Sequence, residues 1–140
     1  MTVSEHLRKH IRELAGNRCG YCLVSATHIY AAMEIDHIQP IAAGGTDAEE
    51  NLWLACPRCN NYKSDQTTAI DPDTTERVVL FNPRLQKWRE HFKWDEDNPA
   101  QILGLTACGR ATIIALKLNN DDNLEFRQLL VSVKRYPPDE

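Results

Sequence analysis

Four cysteines fall into two C-x-x-C pairs, Cys19 with Cys22 and Cys56 with Cys59. Thiolates are soft ligands that suit zinc, and a C-x-x-C turn presents two sulfurs from one tight loop. Two such turns complete a tetrahedron. The reading is one structural zinc ion per chain, closed by four sulfurs with no position left for chemistry. A redox pair, or two unrelated buried pairs, explains the repeated spacing less well. Cys108 stands apart and reads as an ordinary thiol near a helix start.

Between the pairs lies a second kind of chemistry. Asp36 and His37 are adjacent, and alternation along a strand points them to opposite faces, so each is free for a different task. A carboxylate is a ligand for a hard divalent ion, and a neutral imidazole is a general base near neutral pH. An Asp-His dipeptide alone is weak evidence, because a histidine satisfied within a core is commoner. Asn51, Asn60 and Lys63 are further candidates. Alone, Asn51 reads equally well as a turn or cap residue, and Lys63 also as a solvated helix residue.

These residues need positioning. Residues 33–38 alternate and predict a strand, ended by Pro40. Gly44-Gly45-Thr46-Asp47 predicts a loop, followed by a helical turn at 47–50 and a short strand over 51–55. Pro57 suits the first turn of a helix carrying Asn60 and Lys63. Upstream, Ser4 predicts a cap for a helix to about Ala15, whose exposed side holds His6, Arg8, Lys9, His10 and Arg12. That basic side reads first as solvated and second as phosphate-facing. Downstream, residues 64–75 read as a linker and 77–81 as a strand. Residues 85–94 read as an amphipathic aromatic segment and 101–105 as a strand. Helices are expected over 107–118, capped by Thr106, and 124–135, capped by Asn123.

The 140 residues and 42% hydrophobic content suit one folded domain with an appended piece. No apolar run approaches the roughly 18 residues of a membrane span, and the charged N-terminus does not resemble a signal peptide. A cytoplasmic protein is the expectation. The formal charge is −4; four thiolates contribute a further −4 and a zinc ion +2, so the zinc-loaded chain is at −6. Any nucleic-acid binding must therefore come from a local basic face and a metal ion.

In order and close together, Asp36-His37-Ile38, Gly44-Gly45, Asn51-Leu52 and Cys56-Pro57-Arg58-Cys59-Asn60-Asn61-Tyr62-Lys63 resemble the HNH endonuclease family with two C-x-x-C knuckles. The resemblance covers residues 19–63. It implies an α+β fold, a zinc-stabilised ββα-metal core, and metal-dependent hydrolysis of DNA. It implies that His37 is the general base, that Asn51 orients loop and base, and that Lys63 contacts phosphate. Asp36 and Asn60 would share one catalytic ion. Asn60 stands where the family usually has His, a variant that favours Mg²⁺ or Mn²⁺ over softer metals. The products implied carry a 5′-phosphate and a 3′-hydroxyl. One such site nicks one strand; double-strand cleavage needs a homodimer or two events.

Phe81-Asn82-Pro83-Arg84, then Trp88, His91-Phe92 and Trp94, then Gly109-Arg110-Ala111-Thr112 resemble a C-terminal extension found in a bacterial HNH subgroup. The chain then divides into residues 1–66, the nuclease core with its N-terminal helix and zinc clamp, and residues 67–140, an α/β extension packed on it. Arg84 and Arg110 are candidate phosphate-binding residues, with pairing to the many carboxylates as the competing reading. The aromatics read as core sooner than as base-stacking platforms. The alternative to an enzyme is a non-catalytic zinc module that binds nucleic acid or a protein.

Overall fold

Local chemistry sets the ends of the first helix. Ser4 Oγ accepts the Leu7 N–H at 3.2 Å and starts α1 (Glu5–Leu14). Glu5 in the first turn and Arg12 in the last complement the helix dipole. Leu7 and Ile11 face inward. The computed structural model describes residues 3–139.

Strands β1 (Glu34–His37) and β2 (Leu52–Ala55) pair antiparallel, with Asp36 opposite Trp53 and His37 opposite Leu52. Alternation sends Ile35, His37, Leu52 and Leu54 to one face and Glu34, Asp36, Trp53 and Ala55 to the other. Helix α1 covers the first face, packing Ile11 on Leu52 and Leu54 with Leu7 and Ile35 beside them. Helix α2 (Pro57–Lys63) begins two residues beyond β2 and bonds to the second face. Pro57 takes the first helical position, where a missing N–H costs nothing. The result is an α+β chain whose centre is a β-hairpin followed by a helix, with the four cysteines clustered beside it.

Residues 64–75 are not a linker. Strand β3 (Thr68–Ile70) pairs with β4 (Arg77–Val79) around a turn built on Asp71, whose carboxylate accepts the N–H groups of Asp73 and Thr74. The aromatic segment also divides, into the short α3 (Trp88–His91) and β5 (Phe92–Trp94), which pairs with β6 (Ile102–Gly104). Thr106 caps α4 (Ala107–Ala115) as expected. The last helix, α5 (Asp121–Ser132), starts earlier than expected, because Asn120 and not Asn123 is its cap.

The main core joins both parts of the chain. Cys19, Tyr21 and Cys22 are buried with Phe81, Trp88, Phe92, Ile102, Leu116 and Tyr136. Trp88 Nε1 donates to the Tyr21 carbonyl at 2.8 Å, and the Tyr136 hydroxyl donates to the Cys22 carbonyl at 2.7 Å. The extension is thus bonded to the first cysteine knuckle, and Trp88 and Phe92 are core residues stacked 5.1 Å apart. Among the described residues, no helix is long and apolar enough to cross a membrane.

Candidate active site

The cysteine cluster is built by two turns. Cys19 opens the first, donating its N–H to Val24 and receiving that of Leu23. Cys56 is the N-cap of α2, and its sulfur accepts the Cys59 N–H at 3.4 Å. All four side chains are buried, and their sulfurs lie within 4.8 Å of one another. Cys22 Sγ and Cys56 Sγ are 3.9 Å apart. A zinc tetrathiolate with the usual bond length has sulfurs about 3.8 Å apart, so the cluster fits that ion. Without a dication the sulfurs must share protons. Hydrogen bonding within the cluster, with Cys19 the main partner, raises the Cys22 and Cys59 thiols and holds Cys56 far below its ordinary value. A dication relieves that conflict by taking four thiolates.

His37 ends β1. Its Nε2 lies 2.7 Å from Asp47 Oδ1, with both side chains partly exposed. Donation from Nε2–H to the carboxylate fixes the tautomer and leaves Nδ1 as the basic nitrogen. Asp47 was not foreseen. It sits ten residues along, in the loop after the glycine pair, and only closure of that loop brings it back.

Asn51 and Gly45 close the loop. Asn51 Oδ1 accepts the Gln39 N–H at 2.8 Å, while Nδ2 donates to the carbonyls of Gln39 at 3.0 Å and Thr46 at 2.8 Å. The Gly45 α-carbon passes so near the Gln39 carbonyl that a β-carbon would stand 1.7 Å from its oxygen. Only glycine allows that approach. Asn51 therefore ties the two ends of the segment that carries Asp47.

On the opposite face, Asp36 is 2% exposed. The Tyr21 hydroxyl donates to its Oδ2, and Lys63 Nζ donates to its Oδ1 at 3.1 Å. The same ammonium donates to the carbonyls of His37 at 2.9 Å and Ile38 at 3.2 Å. Lys63 is also 2% exposed, and its three N–H donors meet three acceptors. Burial, with the Asp36 charge second, pushes the Tyr21 hydroxyl well above its ordinary value.

This geometry bears on two expectations. Lys63 is not placed to contact phosphate, because its charge is spent inside the protein. The Asp36 carboxylate and the Asn60 amide nitrogen each bond to other partners. Asn60 Nδ2 donates to Glu34 Oε1 at 2.8 Å. With both its oxygens engaged and an ammonium in contact, Asp36 as arranged does not fit a catalytic dication.

Arg110 is likewise committed. Its Nε and Nη2 reach the two Asp71 oxygens at 2.9 Å each, and Nε lies 3.1 Å from Asp73. Those bonds hold the Asp71 carboxyl well below the usual carboxylate range. Arg110 closes the β3–β4 turn onto α4 through these bonds to Asp71 and Asp73. Arg84 is different. Its guanidinium lies over Trp53 with 5.5 Å to the ring centroid, and 3.7 Å separates Nη2 from Glu49. Glu49 in turn lies 3.3 Å from His10 of α1. Arg84 Nη2 is buried and makes no hydrogen bond.

Against known proteins, residues 19–66 match the family model described as HNH endonuclease. The match spans both cysteine pairs, the β1–β2 hairpin and α2. No curated protein and no solved structure matches the chain.

Proposed function

We propose, from the match of residues 19–66 to the HNH endonuclease model, that this chain hydrolyses DNA phosphodiester bonds, nicking one strand per event, with His37 as the general base. The observation that carries the proposal is the His37–Asp47 contact at 2.7 Å. Asp47 accepts the Nε2 proton and orients the ring. Nδ1 then takes a proton from the attacking water, and the imidazolium that forms is stabilised by the carboxylate beside it. General-base catalysis of this kind contributes about 10²–10⁴-fold.

A zinc ion on four sulfurs leaves no open position, so its part is to hold the two knuckles and the first turn of α2. The proposal includes a requirement for Mg²⁺ or Mn²⁺, the ions the family resemblance implies. When bound, such an ion supplies positive charge at the phosphate. The face of the hairpin that carries His37 is covered by α1, which also carries exposed Lys9 and half-buried Arg12.

A second reading has an observation of its own. Lys63 and Arg110, two cations expected on phosphate, are paired internally with Asp36 and Asp71. That favours a non-catalytic zinc-stabilised module that binds nucleic acid or a protein. Incubating the zinc-loaded protein with supercoiled plasmid in Mg²⁺, Mn²⁺ or chelator separates the two. The nuclease gives nicked circles with either ion and none with chelator. Salt-sensitive DNA binding without nicking under any ion would establish the binding module.

A further inference from the structure

Asp36, Lys63 and Tyr21 form a closed unit whose parts come from the strand, the helix and the first zinc knuckle. Tyr21 stands between Cys19 and Cys22, is fully buried, and is held from behind by Trp88 Nε1 on its carbonyl. Its hydroxyl fixes one Asp36 oxygen and Lys63 fixes the other. Lys63 is the last residue of α2, and its ammonium also grips the carbonyls of His37 and Ile38. The contacts therefore run without a gap from the cysteine cluster to the backbone of the candidate base. A buried charge pair gives little stability over an apolar substitute, so its retention points to geometry.

We propose that Tyr21, Asp36 and Lys63 are a positioning triad that sets the backbone of His37, with the Lys63 ammonium serving as the cation of Asp36 in place of a divalent ion. The triad rests on the reading of His37 as base. It acts through His37 and does not touch substrate. Asp36 is then an internal anchor and not an ion ligand.

The test uses the zinc-loaded full chain and the variants Tyr21→Phe, Asp36→Asn and Lys63→Met. Three quantities are read: Mn²⁺ affinity by electron paramagnetic resonance, the His37 ring tautomer by long-range proton–nitrogen NMR, and plasmid nicking as kcat and KM. Asp36→Asn is expected to keep Mn²⁺ affinity within about twofold, where loss of even a group that only orients a ligand costs about 10–100-fold. Lys63→Met and Tyr21→Phe are expected to lower kcat by about tenfold or more with KM nearly unchanged, since sub-ångström placement of the base is lost. Both should also replace the single Nε2–H tautomer by a mixture. A tenfold loss of Mn²⁺ binding in Asp36→Asn, with a gain in Lys63→Met, would overturn the proposal by making Asp36 a metal ligand and Lys63 its competitor. If Asp36→Asn or Lys63→Met loses zinc, Tyr21→Phe decides alone. It removes one hydroxyl, and an unchanged tautomer with unchanged kcat refutes the triad. A wild type that nicks nothing, yet shows an ordered tautomer that Tyr21→Phe abolishes, removes the nuclease and leaves the triad standing.

Discussion

Removing Lys63 should cost the chain a large part of its stability. In Lys63→Met the ammonium is lost while the methylene stem is largely kept. Asp36, 2% exposed, is left with only the Tyr21 hydroxyl, and the His37 and Ile38 carbonyls lose a donor. Breaking a buried ion pair at one end costs about 3–5 kcal/mol, because the remaining charge has no water to turn to. Folded domains hold only about 5–15 kcal/mol in reserve. For a chain of this size the loss corresponds to a fall in Tm of roughly 10–20 °C. Asp36→Asn should destabilise in the same direction, and the double variant should cost about 1–3 kcal/mol less than the sum of the singles. Urea unfolding followed by circular dichroism at fixed free zinc measures all four proteins. Fixed zinc matters, because a ligand that binds only the folded state shifts the midpoint. Two singles within about 1 kcal/mol of wild type and strictly additive would mean that the ammonium is solvated. The reasoning about Lys63 would then be refuted.

Three further outcomes follow from the same geometry. Cys56→Ser breaks the sulfur cluster at the α2 cap, and metal analysis should fall from one zinc per chain; a strong chelator should unfold the wild type, seen in the near-ultraviolet signal of Tyr21 and Trp88. Asn51→Ala deletes three hydrogen bonds to Gln39 and Thr46, which at about 1 kcal/mol each predicts a loss of roughly 2–3 kcal/mol by urea titration. Tyr136 is buried and its hydroxyl is pushed up by that burial, so the unfolded chain ionises first. Its contribution is intact below the ordinary tyrosine value near 10 and is lost above it at about 1.4 kcal/mol per pH unit, a slope that Tyr136→Phe should flatten in unfolding curves measured from pH 8 to 11.

The features legible in the sequence were those whose chemistry lies in residue type and short spacing. Two C-x-x-C turns reveal a sulfur cluster without any knowledge of the fold. The alternation at β1 and the proline at the start of α2 reveal the hairpin and helix. The candidates His37 and Asn51 sit on that frame, at the end of β1 and just before β2. What stayed hidden depends on how the chain returns on itself. Asp47 meets His37 only because Gly45 lets the loop pass the Gln39 carbonyl, and Asn51 then pins it. Tyr21 reads as one more apolar residue until its hydroxyl reaches Asp36. Lys63 looks like a surface cation because nothing local shows that the end of α2 lies over Asp36. β3 was missed because Thr68 and Ile70 gain little from burial; the strand exists through pairing with β4 and the Asp71 turn. Asn123 and Asn120 are the same residue type three positions apart, and only the packed helix shows that Asn120 is the cap.

The central claim is that His37 is the base of a nuclease, and the nicking rate of His37→Ala tests it most directly. The side chain is at the surface end of β1 and contributes nothing to the cysteine cluster, so the variant should keep one zinc per chain and a near-wild-type melting curve. With supercoiled plasmid and Mg²⁺ its nicking rate should fall by about 10²–10⁴-fold. A zinc-loaded, folded His37→Ala protein that nicks as fast as wild type would contradict the account.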